Sequence, residues 1–317
     1  MKIVIPGGSG QVGHILACHF HQTGHEVTVL SRTPNTVPWR VIEWDGAAVG
    51  TWLDTIEGSD VLINLAGRSV NCRYNRENRR AILESRIRST QTLHEAVSRV
   101  RRPPAVWLNA STATIYRHSL DHPMDEATGE LGGAEPGAPD TWNFSIQVAK
   151  AWEQAFFSKP TRGTRKVAMR SAMTFSIDKG GVFDVFLGLV RHGMGGTIFP
   201  GTQFVSWIHE HDFARSVEFL IEQQELSGVF NLVSPNPLPN RTFLQVLRQT
   251  WGAVFGLPTT AWMLELGTFL LRTESELVLK SRRVAPGRLQ DAGFCFNYPE
   301  WTEAAKDLVA RWKERYA

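Results

Sequence analysis

Three glycines spaced three apart, Gly7, Gly10 and Gly13, lie between the apolar run Ile3-Val4-Ile5-Pro6 and a segment carrying Val12, Ile15, Leu16 and Phe20 at helical spacing. A strand, a glycine turn and a helix in that order can bring backbone against a pyrophosphate. Gly7 permits the tight turn, Gly10 the approach of a phosphate, and Gly13 the packing of helix on strand. The helix start, with Gln11 and Val12 in its first turn, then offers free N–H groups and a partial positive charge. The alternative is a glycine-rich turn that holds nothing. The surrounding βαβ pattern favours the ligand.

The end of the second apolar run distinguishes dinucleotides. An acid there would accept from a ribose 2′-hydroxyl and select NAD. The sequence instead reads Leu30-Ser31-Arg32-Thr33. Arg32 can pair with a 2′-phosphate and Ser31 can hydrogen-bond it, which points to NADP(H). A charge-assisted bond contributes about 1.5–3 kcal/mol, so roughly ten- to hundredfold selectivity is expected. Otherwise Arg32 is a solvated loop arginine. Asp45 either accepts from the adenine amino group or caps its own loop.

The elements that must position these residues alternate strand and helix through the first half, as a parallel sheet covered on both faces requires. Strands are expected at 2–6, 27–30, 40–44, 61–65, 105–109 and 166–169, with helices following Gly10 and over 75–99 and 142–157. Residues 118–140 read as a long loop at the edge of the site. Strand patterns return at 204–208 and 229–233. The expected class is α/β, a Rossmann-type doubly wound parallel sheet with a smaller, mostly helical C-terminal cap. Residues 1–176 would form the nucleotide domain, with about 204–234 returning to it. Residues 177–317 would form the cap region, including a helical segment over 240–317.

The 317 residues are 42% hydrophobic with a net charge of +3, enough for a sizeable core and too little charge to make nucleic acid or an anionic membrane the main partner. No apolar run approaches the roughly 20 residues that span a bilayer. The N-terminus reads as a strand and not a secretory leader. Cys18, Cys72 and Cys295 are odd in number and widely spaced, which fits reduced thiols in a cytoplasmic protein.

Taken with more distant pieces, the chain resembles the extended short-chain dehydrogenases/reductases of the NAD-dependent epimerase/dehydratase type. More narrowly it is similar to the atypical epimerase family 39U, whose members end in a segment of unknown function. The pieces run from Gly7–Gly13 and Ser31-Arg32 through Asn64-Leu65-Ala66-Gly67, Glu84-Ser85-Arg86 and Trp152-Glu153 to Ser206-Trp207-Ile208-His209 and Ser234-Pro235-Asn236-Pro237. Arg283-Val284-Ala285-Pro286, Ala292-Gly293-Phe294 and Tyr298-Pro299 complete them. The resemblance implies that Leu65, Ala66, Arg86 and Thr174 also line the NADP site, to which Gly67 and Ser111 are assigned as well; Arg86 could instead be paired within its helix near Glu84.

The resemblance also implies a difficulty. Typical members transfer a proton with a tyrosine and a lysine four residues later, and none of Tyr74, Tyr116, Tyr298 and Tyr316 has that lysine. Counting back from Glu153 places Ser145 where the tyrosine would stand and Ala149 where the lysine would. Lys150 falls one residue late, about 100° around the helix. Positioned proton transfer contributes roughly 100- to 10,000-fold in rate, so its loss means slow chemistry, another acid, or none.

Thr112, at the superfamily's Ser/Thr position, is the leading catalytic candidate, with Tyr116 as a substitute acid. Their alternatives are a turn-capping hydroxyl and a packed aromatic. Trp207 and His209 are assigned to the substrate cleft, and Asp212 to the cap of the following helix. His209 and His211 alone do not make a metal site. Arg73 belongs to a basic stretch that could hold an acidic substrate or be a solvated helix start. The expected function is NADP(H)-dependent reduction of a small carbonyl substrate. The alternatives are a non-catalytic NADPH-binding regulator and a nucleotide-sugar epimerase. The resemblance implies a possible homodimer, since many relatives dimerise through the long helices that here carry Arg86 and Glu153.

Overall fold

The apolar run at the N-terminus forms β1 (Lys2–Pro6), and its alternation serves both faces of a sheet. Ile3 and Ile5 enter one core with Val27 and Val29, while Val4 enters the other with Leu30 and Leu62. Burying each such side chain contributes about 1.5–3 kcal/mol. The computed structural model describes residues 1–260 and 276–316.

From β1 the chain passes through α1 (Gln11–Gln22) to β2 (Glu26–Ser31), β3 (Arg40–Glu43) and β4 (Val61–Asn64). Then follow α2 (Arg76–Arg99), β5 (Val106–Thr112), α3 (Asp140–Phe157) and β6 (Arg165–Ser171). Later come β7 (Met173–Phe175), α4 (Val182–Arg191), β8 (Phe204–Val205), β9 (Trp207–His209), α5 (Glu210–Glu222) and β10 (Gly228–Leu232). β10 returns to the main sheet, whose seven strands are all parallel in the order β10-β6-β5-β4-β1-β2-β3. The direction of winding reverses between β1 and β4. A crevice outside the carboxyl ends of those two strands is where such a sheet binds ligands.

α1 and α5 cover one face through Leu16, Phe20, Phe213 and Leu220; α2 and α3 cover the other through Leu93, Val97 and Phe156. A third core lies under β11 (Leu238–Pro239), α6 (Asn240–Trp251), α7 (Glu276–Leu279) and α9 (Trp301–Tyr316), while α8 (Gly287–Asp291) places Leu289 in the sheet core with α1 and α5. At the centre of the third core Phe243 stacks on Trp301 with ring centroids 4.2 Å apart. Part of the helical segment expected over 240–317, residues 261–275, lies outside the described residues.

Two local expectations need correction. The strand expected over 204–208 breaks at Ser206, whose hydroxyl donates to Arg282 O (2.7 Å) and accepts from Val284 N (3.0 Å). That exchange ties the segment to the C-terminal region instead of a continuous ladder. Asp212 is not the cap of α5. His209 caps it, accepting from His211 N. Asp212 is buried, and accepts from the backbone of Asn297 and Tyr298 at 2.8 and 2.7 Å.

Candidate functional site

A cleft of ≈ 640 Å³ opens at the carboxyl ends of β1, β2 and β4. Its floor is the glycine turn. Gly7 has φ +77°, and a Cβ there would lie 2.6 Å from Ala66 Cα. At Gly13 a Cβ would lie 2.4 Å from Gly8 Cα, so helix and turn are in direct contact. Gly10 differs: a Cβ would meet nothing within 4 Å. Its side faces the open cleft, where a ligand and not the protein would exclude a side chain. No side chain caps α1 at this end, which leaves its first N–H groups available to an anion. Gln11 is held by a 2.7 Å bond from Nε2 to Ser176 Oγ.

At the opposite end, Ser31, Arg32 and Asp45 share the wall with Trp44. Arg32 is exposed and has no carboxylate partner among the described residues. Ser31 Oγ makes a local turn, donating to Thr33 O and accepting from Thr33 N. Asp45 accepts from the backbone of Ala47 and Ala48, which lowers its carboxyl pKa. It therefore shapes its loop while remaining on the cleft wall. Leu65, Ala66 and Gly67 line the third side. Asn64 Oδ1 accepts from Ala66 N, and its Nδ2 donates to Asn109 Oδ1 at 2.7 Å, so a buried amide pair sets this turn.

One face of α2 also lines the cleft, beyond the residues that the sequence singles out. Ala81, Glu84, Ser85, Arg88 and Ser89 all reach the cleft. Their spacing of three and four residues is one helical stripe. That stripe is visible in the sequence, but its polar character resembles a solvated surface.

Several residues assigned to the site stand elsewhere. Arg86 lies behind the wall: it donates to Arg68 O and Ile82 O, sits 4.9 Å over the Trp152 ring, and underlies Gly67. Burial pushes its pKa down to about 10. Ser111 donates to Glu153 Oε1 at 2.6 Å and is buried. Thr174 is buried in the β7–β9 pair, its Oγ without a hydrogen-bond partner among the described residues. Arg73 is half-buried, and its carbonyl accepts from Asn78.

Tyr116 is only 2% exposed. Its hydroxyl donates to Asn231 Oδ1 (3.0 Å) and accepts from Arg170 (2.9 Å). Burial raises its pKa. An engaged, inward phenol cannot serve as the acid expected of it. Trp207 and His209 are both 0% exposed, which removes them from a substrate cleft. Trp207 packs on Trp301 and donates to Asn236 O; His209 Nε2 bonds Asp307 at 2.9 Å. Among the described residues no acidic, histidine and cysteine cluster could hold a metal.

Thr112 ends β5 and accepts from Thr114 N at 3.2 Å. Its hydroxyl proton has no acceptor among the described residues. Ser145 is half-buried on α3, Ala149 is buried, and Lys150 turns away to donate to Gly132 O. In place of a tyrosine–lysine pair, Ser145 Oγ meets Glu276 Oε2.

A model of the NAD dependent epimerase/dehydratase family matches residues 3–232, most of the chain. The chain belongs to that family. A second model, for a domain of unknown function (DUF1731), matches residues 259–308. Among relatives within the family, the chain is 30% identical over 315 residues to Epimerase family protein SDR39U1 of Homo sapiens, covering 98% of this chain and 100% of the relative. It is 30% identical over 316 residues to Epimerase family protein SA0724 of Staphylococcus aureus (strain N315), covering 97% and 99%. The crystal structure of human SDR39U1 (isoform 2) with NADPH superimposes with a TM-score of 0.84 at 28% identity, covering 98% and 99%. The fold class and the family resemblance read from the sequence are those found here. No described helix is long and apolar enough to cross a membrane.

Proposed function

We propose that this protein is an NADP(H)-dependent oxidoreductase that interconverts a small carbonyl compound and its alcohol. The observation that carries the reading is Arg32. Its exposed guanidinium stands beside the cleft, where a ribose-selecting acid would be, with no carboxylate partner among the described residues. A 2′-phosphate would supply that partner. The NADPH in the structure of the human relative supports the same choice. The cleft fits the dinucleotide in kind: an open Gly10, an uncapped helix start and a cation at the far end. Gly7–Gly13 would hold the pyrophosphate, and Ser31 and Arg32 the phosphorylated ribose.

When bound, the nicotinamide supplies a two-electron hydride donor or acceptor. The chain supplies orientation and the proton. Thr112 is suited to orient the substrate oxygen, since its hydroxyl proton has no acceptor among the described residues. A non-catalytic NADPH-responsive regulator is the second reading, and the observation favouring it is Ser145 and Ala149 in place of the tyrosine and lysine.

Tryptophan-fluorescence titration with NADPH and NADH tests the cofactor. Roughly ten- to hundredfold tighter NADPH binding, lost in Arg32→Ala, is the expected result; equal binding of both would refute the role of Arg32. NADPH consumption with a panel of small aldehydes and ketones, together with NADP+ reduction by the matching alcohols, tests turnover. A silent panel in both directions would leave the regulator.

A further inference from the structure

The C-terminal segment of unknown function inserts charged side chains into the Rossmann domain, next to the carboxyl edge of the sheet. Glu276 is 1% exposed and Lys280 is 1% exposed. Ser145 Oγ donates to Glu276 Oε2 at 2.5 Å. Arg282 lies 3.5 Å from the other carboxylate oxygen and donates from Nε to Thr114 Oγ1 at 3.0 Å. Lys280 Nζ donates to Thr114 O at 2.7 Å. Tyr74 is in side-chain hydrogen-bond contact with Ser145.

Burying two cations and a carboxylate costs several kcal/mol per ion before pairing, and an apolar plug would fill the same space more simply. The position suggests a reason. Thr112 and Thr114 follow β5, and Tyr74 lies on the loop after β4 whose first residues, Leu65–Ser69, form the cleft wall. The cluster does not itself line the ≈ 640 Å³ cleft, but it lies beyond the carboxyl ends of β4 and β5, the edge of the sheet where ligands of such folds react. Of its candidates for a base, Tyr74 is disfavoured, because burial pushes it up to about 12. A carboxylate held against a hydroxyl is the better acceptor.

Resting on the oxidoreductase reading above, we propose that Ser145 and Glu276 form the proton relay of this site, so that the C-terminal segment completes the active centre. In the direction of alcohol oxidation, the substrate O–H proton passes to Ser145 Oγ as the Ser145 proton passes to Glu276. The pair left on the substrate oxygen becomes the carbonyl π bond as carbon loses its hydride, for which NADP+ would be the acceptor. Glu276, now a neutral acid and buried, returns its proton by way of the half-buried Ser145 Oγ to water once product has left. Reduction is the reverse. Ser145 is the catalytic residue and Glu276 acts through it, with Arg282 and Lys280 positioning the segment. Among the described residues, Tyr74, Cys72, Arg282 and Lys280 are the other titratable groups around the relay, with Glu135 and His118 beyond Lys280.

Glu276→Gln and Ser145→Ala test the relay on the full chain, with the best carbonyl–alcohol pair from the panel as probe. The expected result is a fall in kcat of at least about 100-fold, with NADPH affinity unchanged and partial recovery in Glu276→Asp. Ser145→Ala removes only a hydroxyl and retains the Glu276–Arg282 pair, so it decides the matter should Glu276→Gln fail to fold. A second readout needs no turnover. Infrared difference spectra across pH should show a carboxyl C=O band that is absent in Glu276→Gln and shifted in Ser145→Ala. An active wild type with unchanged kcat in Ser145→Ala, or a band indifferent to Ser145, overturns the relay alone. A wild type silent in both directions overturns the oxidoreductase reading and the relay with it.

Discussion

Arg170 closes on Glu153 with two hydrogen bonds, Nε to Oε1 at 2.8 Å and Nη2 to Oε2 at 2.7 Å, and its remaining nitrogen reaches the Tyr116 hydroxyl. Ser111 donates to the same carboxylate. Four residues from β5, α3, β6 and the turn after β5 are thereby joined in one buried network. Two of them, Ser111 and Tyr116, look from the sequence like site residues. Breaking a buried pair leaves an uncompensated charge, so Glu153→Gln should cost about 3–5 kcal/mol, read as a lowered denaturation midpoint. Tyr116→Phe should cost about 1–3 kcal/mol with kcat unchanged. A Tyr116→Phe protein of native stability that has lost turnover would restore the phenol to the chemistry.

The glycine turn separates binding from folding. Gly13→Ala drives a methyl to 2.4 Å from Gly8 Cα, and should destabilise by about 1–3 kcal/mol. Gly10→Ala meets no protein atom, so stability should hold within about 0.5 kcal/mol while NADPH binding weakens. Paired melting curves and fluorescence titrations distinguish the two. Equal NADPH affinity in wild type and Gly10→Ala would mean that no phosphate approaches this backbone.

His94 gives the fold an acid sensitivity. The side chain is 5% exposed, its Nε2 bonds Phe156 O, and burial, aided by Lys166, pushes its pKa down to about 4 from 6.5. The unfolded chain binds this proton near pH 6.5 and the folded chain does not, so stability falls as pH drops from 6.5 toward 4. The loss is on the order of 3 kcal/mol. Denaturant melts at pH 7 and 4.5 should show the decline, and His94→Gln should flatten its share. An unchanged slope in the variant would assign the sensitivity to other groups.

His209 joins α5 to α9. Its Nδ1 accepts from His211 N and its Nε2 bonds Asp307, which Arg311 also holds. Burial would raise the Asp307 carboxyl, but these two hydrogen bonds outweigh it and hold the group below its usual range. His209→Ala should lower stability by about 1–3 kcal/mol and leave NADPH affinity and KM unchanged. A rise in KM at native stability would return His209 to the substrate.

The cleft proposed for the dinucleotide was legible in the sequence because its determinants are local. A glycine's backbone freedom, an uncapped helix start and the residue ending a strand act within a few positions of one another. The strand alternation Ile3-Val4-Ile5 likewise states which faces are buried before any partner is known. The roles of polar and aromatic side chains were not legible in this way. Tyr116 is structural because Arg170 and Asn231, 54 and 115 residues away, satisfy its hydroxyl. His209 is structural because Asp307 lies 98 residues on. Ser145 meets a carboxylate 131 residues distant. The sequence by itself determined a nucleotide-binding α/β sheet and the glycines and Arg32 that face its cleft. Only the tertiary structure decided which hydroxyls, imidazoles and carboxylates are buried, because burial and hydrogen bonding depend on partners that folding alone brings within 3 Å or so of each other.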